Sequence, residues 1–156
     1  VAILKIRVDD DPILRKESRP VEEINKRIEV LAKDMIDTLH KADGVGLAAV
    51  QVGVLRRMIV VETEPGKTIV MINPEILESS GEQDGPEGCL SVPGKRGCVK
   101  RPNYVKVKAL GLDGKTHEYE GTELFARCVF HETDHLNGIL YTDKAWKMID
   151  PDEDEQ

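Results

Sequence analysis

Two histidines four residues apart, His131 and His135, with an acid beside the first, form the stretch HETDH in a chain that has only 4 histidines. On an α-helix, positions i and i+4 lie about 40° apart around the axis and about 6 Å apart along it, so both imidazoles project from one face. Placed so, they can share one ion at about 2.0–2.1 Å each. Glu132 points to the flank of that face, beside the ion, where a general base for an attacking water belongs. The plainer alternative is a polar stripe on a helix, because five-residue patterns of this kind also arise by chance.

Two histidines do not complete a site. Cys128 shares the helix face, but from 128 to 135 is about 10.5 Å of helix, too far for three donors to meet on one ion. Cys128 therefore reads as a buried core thiol. The other candidate donors are Cys89, Cys98, His40 and His117. His40 closes an early helical pattern, His117 lies on the wet side of a hairpin pattern, and Cys98 sits in the basic stretch KRGCVKRP, which reads as a strand edge. Cys89 lies in GPEGCLSVPG, whose glycines and prolines mark a fixed, irregular loop that can aim a thiolate at a helix face from outside. Cys89 is thus the preferred third ligand. A Cys, His, His set leaves one tetrahedral position open, the arrangement of a catalytic rather than a structural site.

These donors need elements to carry them. From Pro20 to Ala42, apolar residues recur at spacings of three and four (Val21, Ile24, Ile28, Leu31, Met35, Leu39), which predicts an amphipathic helix starting after Ser18 or Arg19 and stopped by Gly44. MIVVE and TIVMIN, around EPGK, read as two strands joined by a turn. VKVKAL and KTHEYEG read as a second hairpin with one wet face. Helical spacing returns from Thr122 to Asn137 and ends at Gly138. The order of elements predicts an α+β fold: antiparallel strands packed around a central C-terminal helix carrying HETDH, with an amphipathic N-terminal helix. One domain, 1–148, is expected, followed by an acidic tail, 149–156, disordered by its composition.

Composition narrows the function classes. The 156 residues carry a net charge of −7, with 40% hydrophobic and 33% charged residues, as in an ordinary globular chain. No basic stripe suits nucleic acid, and no apolar run reaches the roughly 20 residues of a membrane span. VAILKIRVDD is broken by Lys5 and Arg7, so it lacks the apolar block of a secretory signal. The 3 cysteines, an odd number without framework spacing, fit a reducing compartment, and a cytoplasmic location is expected.

Three blocks taken together, GVGLAAVQ (44–51), EGCLS (87–91) and HETDH (131–135), resemble the bacterial peptide deformylases in order and spacing, with similarity from ILKI through NGILYTDK. The resemblance implies that Cys89, His131 and His135 bind one divalent metal and that Glu132 acts as general acid and base. It further implies that Gln51 and the backbone N–H of Leu90 receive the developing oxyanion. Its substrate is the N-formylmethionyl end of a new polypeptide, paired along Gly44, Val45 and Gly46 as an added strand, with Leu90, Cys128 and Val129 as candidates for the methionine pocket. Softness and geometry alone suit zinc; the resemblance implies Fe²⁺ as the native ion, with nickel or zinc as replacements. Glu87 and Asp134 are candidates to orient a ligand or to pair with Arg101 or Arg96.

Two departures stand out. Phe130 occupies a position where many relatives carry Gln, and the chain ends in MIDPDEDEQ without the basic C-terminal helix that some relatives dock on the ribosome. Two other readings stay open. An HExxH metallopeptidase would need a further ligand among Asp143, Asp150, Asp152, Glu153, Asp154 and Glu155. A structural zinc module would need a fourth protein ligand and no role for Glu132.

Overall fold

β-branched runs become strands buried on both faces in the computed structural model, which describes residues 2–149. In β2 (Met58–Val61) all residues are buried. Because side chains alternate across a strand, Ile59 and Val61 face one core cluster while Met58 and Val60 face the other. The first cluster is completed by helix α2 (Leu124–Leu136) and the second by helix α1 (Lys26–Ala42). The two helices thus cover opposite faces of one sheet, and the fold is α+β with antiparallel pairing throughout its named strands.

That sheet has five strands in the order β1 (Gly46–Ala48), β2, β3 (Ile69–Ser80), β6 (Tyr104–Leu110), β7 (Thr116–Thr122). A smaller sheet holds β4 (Gln83–Cys89), β5 (Val92–Arg101) and β8 (Lys147–Ile149), in that order. Both expected hairpins are present, as β2–β3 and β6–β7. β3 runs well past the expected TIVMIN segment and bends through register shifts near Asn73 and Leu77.

The first helix is shorter than its apolar periodicity predicts. Pro20–Asn25 is not helical, and α1 starts at Lys26 with Asn25 Oδ1 accepting Ile28 N–H. The reason is tertiary: the Asn73 side chain accepts from Val21 N at 2.8 Å and donates to Val21 O at 2.9 Å, which holds that backbone in a strand-like arrangement. At the other end Asp43, rather than Gly44, takes the left-handed conformation, with φ 56°. α2 begins two residues later than expected because Thr122 belongs to β7. It stops at Gly138 (φ 74°), where a side chain would meet Arg15 O at 2.5 Å.

The stretch expected as an irregular loop is a hairpin, with Cys89 ending β4 and a register shift beside Gly88. Cys98 lies mid-strand in β5, paired on one side to Pro86 and on the other to Lys147, so it is not at a sheet edge. The expected acidic tail lies outside the described residues except for Ile149, which ends β8 opposite Arg96.

Candidate metal centre and substrate pocket

α2 turns His131 and His135 toward the end of β4, and there they meet Cys89. Their Nε2 atoms are 3.2 Å apart, and Cys89 Sγ lies 3.3 Å from His135 Nε2. The three donor atoms fall within 4.8 Å of one another, the one such group among the described residues that includes a cysteine and two histidines. Tetrahedral donors at about 2.1–2.3 Å from an ion stand about 3.4–3.6 Å from each other, so the residues fit a zinc- or iron-sized divalent cation after small side-chain adjustment. Ser91 N–H (3.4 Å) and Gln51 Nε2 (3.5 Å) also point at the Cys89 sulfur.

A buried charge network stands behind this cluster. Glu87, two residues before Cys89 on β4, accepts His131 Nδ1–H, leaving Nε2 of that ring facing the other donors. Arg101 holds both Glu87 oxygens at 3.1 and 2.7 Å, Arg127 holds Oε1 at 2.8 Å, and Arg101 reaches on to Asp134 at 2.7 Å. Arg101, one of the two cations considered from sequence for these acids, pairs with both. Burial works against the Glu87 charge, but the His131 and Arg101 hydrogen bonds outweigh it and hold the carboxyl down at about 2.

Glu132 is treated differently. Burial pushes its carboxyl up to about 7, with the neighbouring His131 opposing, and its Oε1 is buried without a hydrogen-bond partner among the described residues. Burial, and then His131, keep His135 well below the usual imidazole range, so it is neutral and free to donate its lone pair. At His131 burial is overcome by Glu132, Cys89 and Glu87, which favour a positive charge there.

A pocket of about 510 Å³ opens beside the cluster, lined by Gly44, Val45, Gly46, Gln51, Leu90 and Cys128 together with Glu132 and His131. β1 is the edge strand of the large sheet, so its outer side has no strand neighbour among the described residues. Gln51 lies in the short 3-10 turn Ala49–Val52 that follows β1; its Oε1 accepts Ala48 N–H at 2.9 Å and its Nε2 donates to Ser91 Oγ at 3.1 Å. A larger groove of about 880 Å³, between Pro20–Asn25 and Gly53–Arg56, includes none of these groups.

The family model for polypeptide deformylase matches residues 3–150. The chain belongs to that family. It is 56% identical over 145 residues to the peptide deformylase of Agathobacter rectalis, covering 93% of this chain and 91% of that protein. The crystal structure of a peptide deformylase from Legionella pneumophila is similar at TM-score 0.89 and 44% identity, over 97% of this chain and 89% of that one. A class I type b peptide deformylase from Acinetobacter baumannii with Met-Ala-Ser bound has TM-score 0.88 and 39% identity, over 92% of this chain and 98% of that one. Deformylases are metal-dependent, and the Cys89, His131, His135 group is where this member could hold its ion.

Most site residues expected from sequence converge here. Val129 does not: it is fully buried in the cluster between α2 and the large sheet, because one residue further along a helix turns the side chain by about 100°. Phe130 likewise packs on that cluster and is not among the pocket-lining residues. Leu124, Arg127, Pro86 and Arg96 line the pocket and were not singled out for it from sequence. Leu124 and Arg127 were within reach of the helical period, seven and four residues before His131 on the same face. His40 pairs instead with Glu62 (2.8 Å) and His117 with Asp113 (2.9 Å). Among the described residues no fourth protein donor joins the cluster, and Asp143, the described one of the downstream acids, is bound to Arg15.

Proposed function

We propose that the protein hydrolyses the formyl group from the N-terminal formylmethionine of newly made polypeptides, with Cys89, His131 and His135 holding one divalent metal ion. The observation that carries the reading is the convergence of these three donors from α2 and β4 beside Glu132, at the wall of a pocket next to a free strand edge. The Met-Ala-Ser held by the Acinetobacter relative is the kind of peptide that deformylation leaves behind.

When bound, the ion supplies a Lewis acid that acidifies water and polarises the formyl carbonyl. Glu132, with its carboxyl near neutrality, takes a proton from the attacking water and returns it to the leaving amine nitrogen. The Gln51 amide, kept in place by Ala48 N–H, and the backbone N–H of Leu90 donate to the oxygen that becomes negative, a contribution of about 3–4 kcal/mol per donor. The peptide backbone pairs with the open edge at Gly44, Val45 and Gly46, and the methionine side chain enters between Leu90 and Cys128. Formate and a free amino terminus leave.

Fe²⁺ is the native ion in this reading, with Ni²⁺ or Zn²⁺ as working replacements on the same mixed thiolate and imidazole donors. The cytoplasm is the place of action, where nascent chains are made and the 3 cysteines stay reduced. The test is formate release from a short N-formylmethionyl peptide by the Ni²⁺-loaded protein beside Glu132→Ala. The variant is expected to keep its metal and lose turnover. A folded, metal-loaded wild type that releases no formate would overturn the reading.

A further inference from the structure

Glu87 is gripped twice by one helix. His131 and Arg127 stand one turn apart on α2 and take different oxygens of the same carboxylate, His131 Nδ1 at Oε2 and Arg127 Nη1 at Oε1. The Arg127 guanidinium also reaches Gln83 Oε1 with its Nε at 3.3 Å, at the first residue of β4. Gln83, Glu87 and Cys89 all belong to β4, whereas Arg127, His131 and His135 all belong to α2. One guanidinium therefore straps the metal-donor face of the helix to the strand that supplies the cysteine. Only 10% of the Arg127 side chain is exposed, so the strap works with little competition from water.

None of the catalytic steps above uses Arg127. Its removal would leave Glu87 to the Arg101 fork, at 3.1 and 2.7 Å, and would take from Oε1 its shorter hydrogen bond, the 2.8 Å contact that ties this carboxylate to α2 beside His131. We propose that Arg127 is a positioning residue: by fixing Glu87 it locks the His131 ring with Nε2 toward His135 and Cys89, and it holds α2 at the distance from β4 that the three donors require. This rests on the reading of Cys89, His131 and His135 as a metal site.

The test is Co²⁺ binding to the metal-free full chain, measured in competition with a chromogenic chelator, with the visible absorption of bound Co²⁺ as a report on donor geometry. Arg127→Met keeps an unbranched apolar wall while removing both hydrogen bonds. It is expected to weaken Co²⁺ binding about 10- to 100-fold and to change the Co²⁺ bands. Arg127→Lys, which keeps a cation beside Glu87, is expected to recover part of the affinity. Gln83→Ala detaches the far end of the strap together with the Gln83 Nε2 bonds to Pro102 O and Glu123 O, and is expected to weaken binding a few-fold in the same direction. Gln83→Glu, which keeps an acceptor for Arg127 and loses those two donor bonds, is expected to bind as the wild type does, which keeps the test decisive where Arg127→Met does not fold. Unchanged Co²⁺ affinity and bands in Gln83→Ala and in whichever Arg127 variants fold would overturn the proposal and leave the metal site standing. A wild type that does not bind Co²⁺ would instead remove the metal reading itself.

Discussion

The backbone of Gly46 lies directly against the carboxylate of Glu132: a methyl group added at Gly46 would come within 2.6 Å of Glu132 Oε2 and of Cys128 Sγ. The edge strand on which the substrate pairs in the proposed reaction is thus also the surface that fixes the proton-transferring acid. Gly46→Ala is expected to displace Glu132 and lower kcat/KM by about 100-fold, as small misplacements of a catalytic group do, with an overpacking cost of about 1–3 kcal/mol in thermal stability. Steady-state kinetics beside a melting curve checks this. An alanine variant with wild-type turnover would mean that the Glu132 position is not set by this contact.

Gln51 is buried, and its amide is oriented through Ala48 N–H and Ser91 Oγ. Gln51→Ala is expected to reduce kcat by about 10²–10³-fold with a smaller change in KM, because an oxyanion donor acts on the transition state rather than on bound substrate. Metal content measured on the same sample separates this from disturbance of Cys89, which the Gln51 amide also approaches. A loss confined to KM would assign Gln51 to substrate binding alone.

The buried Glu87 gives the metal-free protein a specific acid sensitivity. Its carboxyl is held at about 2 against an ordinary 4.5, so its stabilising contribution is complete above about pH 4.5 and is lost as pH falls through about 2. A downward shift of that size corresponds to about 3 kcal/mol. Denaturant melts of the wild type and Glu87→Gln across this range are expected to differ by several kcal/mol near pH 6 and to converge toward pH 2. A gap that stays constant with pH would show that the carboxylate charge is not what the network stabilises.

Removal of the ion by a chelator is expected to abolish formate release while the fold persists, because both helices are anchored on the large sheet by apolar clusters rather than by the donor group. Adding back Fe²⁺ without oxygen, or Ni²⁺, is expected to restore activity. It should also raise the melting temperature, by about 2.7 kcal/mol of stabilisation when free metal is 100 times Kd. Unfolding on chelation would mark a structural metal, and activity surviving verified removal would mark a metal-free reaction.

Much of the site was legible from local spacing. The pair His131 and His135, the flanking Glu132 and the core thiol Cys128 follow from the fixed rise and rotation of a helix, whatever the helix packs against. The two hairpins follow from alternation and turn residues in the same local way. Cys89 was reached by elimination and by its Gly- and Pro-rich context, although that context forms a hairpin and not an irregular loop.

What depends on distant pairing was decided only by the tertiary structure. Pro20–Asn25 has helical periodicity, yet the Asn73 side chain, 52 residues from Val21 along the chain, takes both of its backbone hydrogen bonds and moves the helix start to Lys26. Glu87 was a candidate to orient a ligand or to pair with Arg101 or Arg96, and its buried pairing with Arg101 is made only when β4 lies against β5 and α2 closes over both. Val129 and Arg127 differ by two positions on one helix, and the packing of α2 on the large sheet sends the first into the core and the second to the pocket. Helix geometry orders side chains around their own axis, but which direction faces the ion is set by contacts with strands far away in the chain, and those leave no local pattern in the residues that make them.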